Sequence, residues 1–318
     1  MSTDVRVYRS LEEIPQGFGP CALTVGNFDG VHAGHRELLR RVVQCAREHG
    51  WRAAVMTFHP HPVRIIAPDR APLVMTTPEQ RARIMQECGI EELLVLPFTE
   101  ATALWSPDYF VRHLLVEKLQ TRAIFVGEDF RFGHKHEGNT FFLQELGPEL
   151  GFTTEFVAPV RLRGARVSSS RVRTLVQSGH VGMASRLLCG PFALEGSVVT
   201  GHGIGKTQTV PTLNLAPDFE VLPGNGVYVT RTKDLATGEQ WNSVTNIGTR
   251  PTFSGDALTI ETYLLGALSQ TPKQIRVEFL ARIRAERKFS SPDLLKARIM
   301  RDVQSAQRYF RKLPRVII

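Results

Sequence analysis

Apolar residues recur along the first half of the chain in two alternating rhythms. Short apolar runs, Ala22 to Val25, Ala53 to Phe58, Glu92 to Leu96, Ala123 to Val126 and Thr153 to Val157, have the length and β-branched content of buried strands. Between them lie segments with helical spacing. Arg36 to His49 places Leu38, Leu39, Val42, Val43 and Ala46 on one stripe and stops at Gly50, and Pro78 to Cys88, Pro107 to Leu119 and Thr140 to Leu150 also read as helices. Strand and helix in alternation predict a parallel sheet covered on both faces, with ligands at the carboxyl ends of its strands.

After about Gly190 the texture changes. The strand candidates Leu194 to Val199, Gly226 to Arg231, Gln240 to Thr245, Leu258 to Leu265 and Ile275 to Ile283 are separated by glycine, proline and polar turns, as in an antiparallel sheet or barrel. An amphipathic segment from Ser291 to Phe310 follows, opening with Ser-Pro-Asp, a helix start. The domain boundary falls between Gly179 and Pro191, giving an N-terminal domain of residues 1–184 and a C-terminal domain of 185–318. No internal repeat or low-complexity tract is evident.

Composition narrows this picture. A chain of 318 residues suits about two domains. The four cysteines, Cys21, Cys45, Cys88 and Cys189, form no CxxC pair, which argues against a zinc knuckle or disulfide framework and favours a reducing cytoplasm. The first residues hold no continuous apolar run, and nowhere does the chain approach the roughly 20 apolar residues that span a bilayer, so no targeting segment and no membrane partner are expected. The formal charge of +8 comes from Lys and Arg scattered through both halves. Such a surface attracts small polyanions, nucleotides included, and lacks the basic stripe with interleaved aromatics of a nucleic-acid reader, so no nucleic-acid partner is expected.

Candidate chemistry begins at GNFDGVHAGH, residues 26 to 35, between a strand and a helix. Glycines at 26, 30 and 34 let backbone turn tightly and approach a ligand, and His32 and His35 lie at a helix start, where free N–H groups favour anions. Imidazole N–H donors there suit phosphate. A metal pair and buried structural histidines are the competing readings, and Asp29 reads as a turn or capping residue rather than an acid catalyst.

HAGH within GNFDGVHAGH resembles the HxGH signature of the nucleotidyltransferase superfamily, and the longer string resembles the FAD synthetase module of bacterial bifunctional riboflavin kinase/FMN adenylyltransferases. TFHPHP (57 to 62), GEDFRFGHKHEGN (127 to 139) and VSSSRVR (167 to 173) agree in order and spacing. The resemblance implies a doubly wound, Rossmann-like N-terminal domain that joins FMN to AMP from ATP, releasing pyrophosphate. By it, His32 and His35 are catalytic donors, while Gly26, Phe28, Gly34, Ser168, Ser169, Ser170, Arg171 and Arg173 bind nucleotide. His59, Pro60, Asp129, Phe130 and Phe132 fall to flavin binding. The His59/His61 and His134/His136 pairs also invite a metal reading, which the same match weighs against.

TGHGIGKTQTVPTLN, residues 200 to 214, is not a Walker P-loop, because the glycine that Gly205-Lys206-Thr207 would need stands at 201 rather than 200. Followed by PTLN, it resembles the riboflavin kinase module, and so do NIGTRPTF (246 to 253), TIETYLL (259 to 265) and RAERKF (284 to 289). This implies an antiparallel β-barrel kinase domain with a terminal helix. Its implied residues are Gly201, Gly203, Gly205, Lys206 and Thr212 for ATP, Thr212 and Asn214 for Mg²⁺, Arg250 for flavin and Glu261 as general base toward the ribityl hydroxyl. The chain departs from the kinase pattern at Ile204, Thr209 and Tyr263, where arginine, glycine and histidine are usual. Two activities are therefore expected, with riboflavin, FMN and ATP as the small-molecule substrates. The alternatives are an adenylyltransferase with an impaired kinase barrel and a flavin-responsive regulator on nucleic acid.

Overall fold

The computed structural model describes residues 4–199, 212–216, 219–252, 255–287 and 289–312, in two compact units that meet at Ser169/Ser170. In the first unit, β1 (Arg6–Tyr8), β2 (Cys21–Val25), β3 (Arg52–His59), β4 (Glu92–Pro97), β5 (Thr121–Gly127) and β8 (Thr153–Val157) form one six-stranded sheet. The order is β1-β4-β3-β2-β5-β8, and every pairing is parallel. Two short ribbons, β6 (Arg131–Phe132) with β7 (Gly138–Asn139) and β9 (Arg161–Leu162) with β10 (Ala165–Arg166), stand outside it.

The longer helices lie where the periodicity predicts, and two short ones, over 62–66 and 100–103, have no counterpart in it. In chain order the helices are α1 (Ala33–His49), the short α2 (Pro62–Ile66), α3 (Pro78–Glu87), the single turns α4 (Glu100–Ala103) and α5 (Pro107–Tyr109), and α6 (Thr140–Leu150). α1 stops at Gly50, whose φ of +67° suits a residue without Cβ. α3 starts with a capping box between Thr77 and Gln80 and Pro78 at its first position. Beyond α5 the chain continues over Phe110–Lys118 with the wider π-helical winding, so that Leu119 N bonds Leu114 O at 3.0 Å.

Strict alternation in the strands divides the core between the two faces of the sheet. Ala22, Ala53, Val55, Leu93, Val95, Ala123 and Phe125 meet Leu39, Val42, Val43 and Ala46 of α1 and Met85 of α3. Leu23, Val25, Ala54, Met56, Leu94, Leu96, Ile124 and Val126 meet Phe110, Val111, Leu114 and Leu115 and α6's Leu143. Each fully buried Leu, Val or Phe contributes about 1.5–3 kcal/mol by leaving water, so both faces are held continuously.

At the amino edge of the sheet, Glu92 is 0% exposed. Its carboxylate accepts from Arg6, from Arg52 Nη1 at 2.9 Å and from Tyr8 Oη–H at 3.0 Å. This cluster anchors β1, a three-residue edge strand too short for any hydrophobic period to announce.

In the second unit, α7 (Ser169–Gln177) and α8 (Val181–Leu188) precede the barrel. α8 buries Val181, Ala184, Leu187 and Leu188, and Gly224 N bonds Val176 O at 3.2 Å. The two compact units part at Ser169/Ser170, in the first turn of α7. The strands β11 (Phe192–Val199), β12 (Thr212–Leu215), β13 (Gly226–Asp234), β14 (Gln240–Thr252), β15 (Gly255–Leu264) and β16 (Gln274–Ala285) close into an antiparallel barrel of order β11-β12-β15-β14-β13-β16. Inside, hydroxyls of Thr230, Thr232, Ser243, Thr245 and Thr262 bond one another at 2.8–3.0 Å, so these buried polar atoms are satisfied. Outside, α9 (Pro292–Lys312) packs Val303 and Ala306 against Val227, Val229, Val244 and Tyr263. Arg284 on β16 grips the buried Asp302 of α9 through Nη2 at 2.9 Å, and Arg298 adds a second contact at 3.2 Å.

Glu92→Ala removes three charge-assisted acceptor contacts. The urea midpoint of the N-terminal unit should fall by the equivalent of about 1–3 kcal/mol, and an unchanged midpoint would show that the cluster contributes nothing to holding β1.

Candidate functional site

The strand order turns back at β2: β3, β4 and β1 lie to one side, β5 and β8 to the other. Helices following adjacent strands leave on opposite faces at such a point, and a crevice opens at the carboxyl ends. Residues 26–35 follow β2, 59–62 end β3, and 127–139 follow β5. Three stretches singled out in the sequence therefore converge at one end of three neighbouring strands.

The first loop is strained and heavily tied down. Phe28 and Val31 hold φ of +50° and +40°, unusual for a bulky and a β-branched residue, and Gly30 holds +80°. Asp29, 3% exposed, is the main fastener. Its carboxylate accepts from Met75 N, Thr76 N and Thr76 Oγ1, each at 3.0 Å, so it is a turn anchor, as its place in the motif suggested. Gly30 N donates to Thr76 Oγ1 at 3.1 Å, and Ser169 Oγ donates to Asp29 O at 2.9 Å.

His32 caps α1, its Nδ1 accepting from His35 N at 3.3 Å, so a neutral His32 carries its proton on Nε2. The two imidazoles stack with centroids 3.7 Å apart and planes 12° from parallel, and Phe28 meets His35 edge-on at 5.0 Å. A Cβ on Gly34 would stand 3.2 Å from His32 Cε1, which is why that position admits no side chain without moving the ring. Burial first, then neighbouring His32 and Arg81, hold His35 well below the ordinary histidine range. His35 Nδ1 is sealed from solvent without a partner.

His59 is exposed at the end of β3, and the peptide to half-buried Pro60 is cis. His61 caps α2 and its Nε2 lies 3.1 Å from the Asn27 side chain, joining this segment to the first loop. In 127–139, exposed Asp129 pairs with Arg166 at 2.7 Å. Phe130 is half-buried and stacks on Phe132, which is 7% exposed and packs into the core with Phe110 and Phe142. His134 is engaged by the backbone: its N–H donates to Trp105 O at 2.7 Å and its Nδ1 to Ala103 O at 3.2 Å. Among the described residues no group of three or more His, Cys, Asp or Glu is placed to hold a metal. Ser168 precedes α7, whose first turns carry Ser169, Ser170, Arg171 and Arg173.

In the barrel unit, Asn214 on β12 stands opposite Glu261 on β15, and Glu261 opposite Asn246 on β14. Thr212 stands opposite Tyr263 two rungs away, on the same strand face as Asn214. All three members of the Asn214–Glu261–Asn246 rung are half-buried, while their neighbours Leu213, Thr262 and Thr245 point into the barrel. Arg250 lies on β14 opposite Ala257. Gly201, Gly203, Ile204, Gly205, Lys206 and Thr209 lie outside the described residues.

Residue reasoning passed over Arg81, Thr57 and the Met75–Thr76 amides, which all brace the first loop. Arg81 carried a signal, a charged residue one turn before core-facing Met85 on α3. The amides carried none, because any residue supplies a backbone N–H.

A doubly wound sheet with a strained, histidine-bearing loop at its switch point, joined to a closed barrel with a carboxylate between two amides, defines a two-domain nucleotide-handling transferase. The FAD synthetase family model matches residues 15–171 and the riboflavin kinase family model residues 188–310. A bifunctional riboflavin kinase/FMN adenylyltransferase of Escherichia coli K12 is 37% identical over 308 residues, covering 96% of this chain and 97% of that one. Its counterpart from Pseudomonas fluorescens is 34% identical over 305 residues, covering 95% and 97%. A crystal structure described as a macrolide-efflux protein from Streptococcus pneumoniae superposes with a TM-score of 0.85 at 27% identity, covering 96% of this chain and 99% of that one. No described helix of this chain is long and apolar enough to cross a membrane. The chain belongs to the family of bacterial bifunctional riboflavin kinase/FMN adenylyltransferases.

Asp29→Ala orphans two backbone N–H groups beneath the strained loop. It should cost about 1–3 kcal/mol in stability and depress FAD formation from FMN, with FMN formation from riboflavin unchanged. Normal FAD formation by Asp29→Ala would show that the loop holds its shape without this anchor.

Proposed function

We propose that this chain makes FAD in two ATP-dependent steps, one in each unit: the barrel phosphorylates riboflavin to FMN, and the N-terminal sheet transfers AMP from ATP to FMN. Both family models are present in one chain, and full-length relatives carry both activities in their names. The observation that carries the residue-level reading is the convergence of the loops after β2, β3 and β5 on the crevice of the sheet.

In adenylyl transfer, a phosphate oxygen of FMN attacks the α-phosphorus of ATP and the bond to pyrophosphate breaks. Positioning and stabilisation of charge supply most of the rate. His32 and His35 donate ring N–H groups to phosphoryl oxygens, and Gly26 and Gly34 leave room for the approach. Phe28 backs the pair from the core. Ser168, Ser169, Ser170, Arg171 and Arg173 hold the phosphates, hydroxyls and guanidinium forks suiting a polyanion. His59, Pro60 and Asp129 border the flavin together with the accessible ring of Phe130, which the buried Phe132 supports from behind.

In the barrel, Glu261 accepts the proton of the ribityl 5′-hydroxyl as its oxygen attacks the γ-phosphorus and ADP leaves. Thr212 and Asn214 offer a hydroxyl and an amide oxygen on one strand face. These hard donors would suit Mg²⁺. When bound, the ion neutralises phosphate charge. Gly201, Gly203, Gly205 and Lys206 serve the same nucleotide, and Arg250 the flavin.

A chromatographic assay with ATP and Mg²⁺ tests the reading. Riboflavin should give transient FMN and then FAD, and supplied FMN should give FAD; FAD from FMN alone would mean that the barrel, with Ile204 and Thr209, no longer works as a kinase. His35→Ala should lower FAD formation about 100- to 1000-fold, and a near-normal rate in the folded variant removes His35 from the chemistry. Glu261→Ala should abolish FMN formation and leave FAD formation from FMN intact. Loss of both would contradict the assignment of one reaction to each unit.

A further inference from the structure

Arg81, on α3, is 5% exposed, yet its guanidinium has neutral hydrogen-bond partners. Nη1 donates to Asn27 O at 2.7 Å and to Thr57 Oγ1 at 3.0 Å, while Thr57 Oγ1 itself donates to Asn27 O at 3.1 Å. Nε is sealed and unpartnered. A triangle of hydrogen bonds thus joins α3, the fully buried Thr57 of β3 and the first residues beyond β2, directly under the loop that carries the histidines. A buried cation hydrogen-bonded to neutral oxygens is costly to desolvate.

We propose that Arg81 is a positioning residue for adenylyl transfer, clamping the carboxyl ends of β2 and β3 beneath the His32–His35 pair and lending that end of the sheet a fixed positive charge. The inference rests on the adenylyl-transfer reading of the first unit. The clamp acts on Asn27, two residues past the end of β2 and next to strained Phe28, so a shift of Asn27 O moves the loop that orients both imidazoles. The charge acts on His35. The groups around His35 are stacked His32, edge-on Phe28 and, from α3, Arg81; the carboxylates that answer Arg81 are those of Asp29 and Glu79. With a fixed cation beneath it and Nδ1 sealed, His35 stays a neutral ring with one N–H to offer. Arginine suits the role because its guanidinium keeps its proton even when buried.

The test uses the full chain with Arg81→Met, which keeps the stem and removes charge and donors, and Arg81→Lys, which restores the charge. The two readouts are FAD formation from FMN and the titration of the His35 ring followed by NMR. Arg81→Met should lower FAD formation about 100-fold, the usual effect of misplacing a reacting group by about 1 Å, and Arg81→Lys should regain at least about tenfold of that. Because a like charge disfavours protonation, the His35 titration should move to higher pH in Arg81→Met and return toward wild type in Arg81→Lys. A His35 titration unmoved by Arg81→Met, or a folded Arg81→Lys as slow as Arg81→Met, would overturn the proposal. FMN formation from riboflavin by the barrel should be unchanged in both variants. Should wild type form no FAD from FMN, the adenylyl-transfer reading fails, while the NMR titration still reports on Arg81 and His35.

Discussion

Every strand of the N-terminal sheet runs the same way, and a parallel connection must cross over the sheet with a right-handed turn. Starting from β2, the chain builds outward through β3 and β4 with α1 and α3 on one face. The connection from β4 then returns past β2 to β5, so the π-helical stretch after α5 and then α6 cover the other face. Reversal at β2 leaves the carboxyl ends of β2 and β5 with no helix crossing between them. The crevice follows from handedness and strand order, and the loops around it are free to carry polar residues because no core packing passes over them.

What fills that crevice is held in an unfavourable shape. A β-branched residue at φ +40° persists only where its surroundings dictate the conformation, and here the dictation comes from Asp29 on the amides of Met75 and Thr76, from Ser169 on the Asp29 carbonyl and from Arg81 on Asn27. Binding energy of an incoming nucleotide need not then be used to shape the loop. Fixed donors in a partly sealed site stabilise developing charge without reorganising, which suits a reaction that depends on orientation.

The barrel achieves rigidity differently. Closure removes every sheet edge, a buried hydroxyl ladder satisfies the polar interior, and α9, gripped through Arg284 and Asp302, covers one outer face. Asn214, Glu261 and Asn246 occupy one rung on the outer side, so a carboxylate and two amides are presented from three adjacent strands with their spacing set by register. Each unit has its own core and its own candidate chemistry.

Much of this was legible in residue order. Alternation in the strands and the 3.6-residue stripes of α1, α3 and α6 report local burial, so their limits agree closely with expectation, and contiguous strings such as GNFDGVHAGH and PTLN carry their chemistry in one stretch. β1 and β12 were not legible as strands, because three- and four-residue strands hold too few side chains to show a period. Nor was the seat of α7 and α8, whose apolar stripes announce burial without naming the surface that covers them. The strand order, the barrel's closure, the strain at Phe28 and Val31, the rung that pairs Asn214 with Glu261, and the clamp of Arg81 on Asn27 were decided by tertiary structure alone. Each is a relation between segments far apart in the chain, set by sheet handedness, hydrogen-bond register and packing.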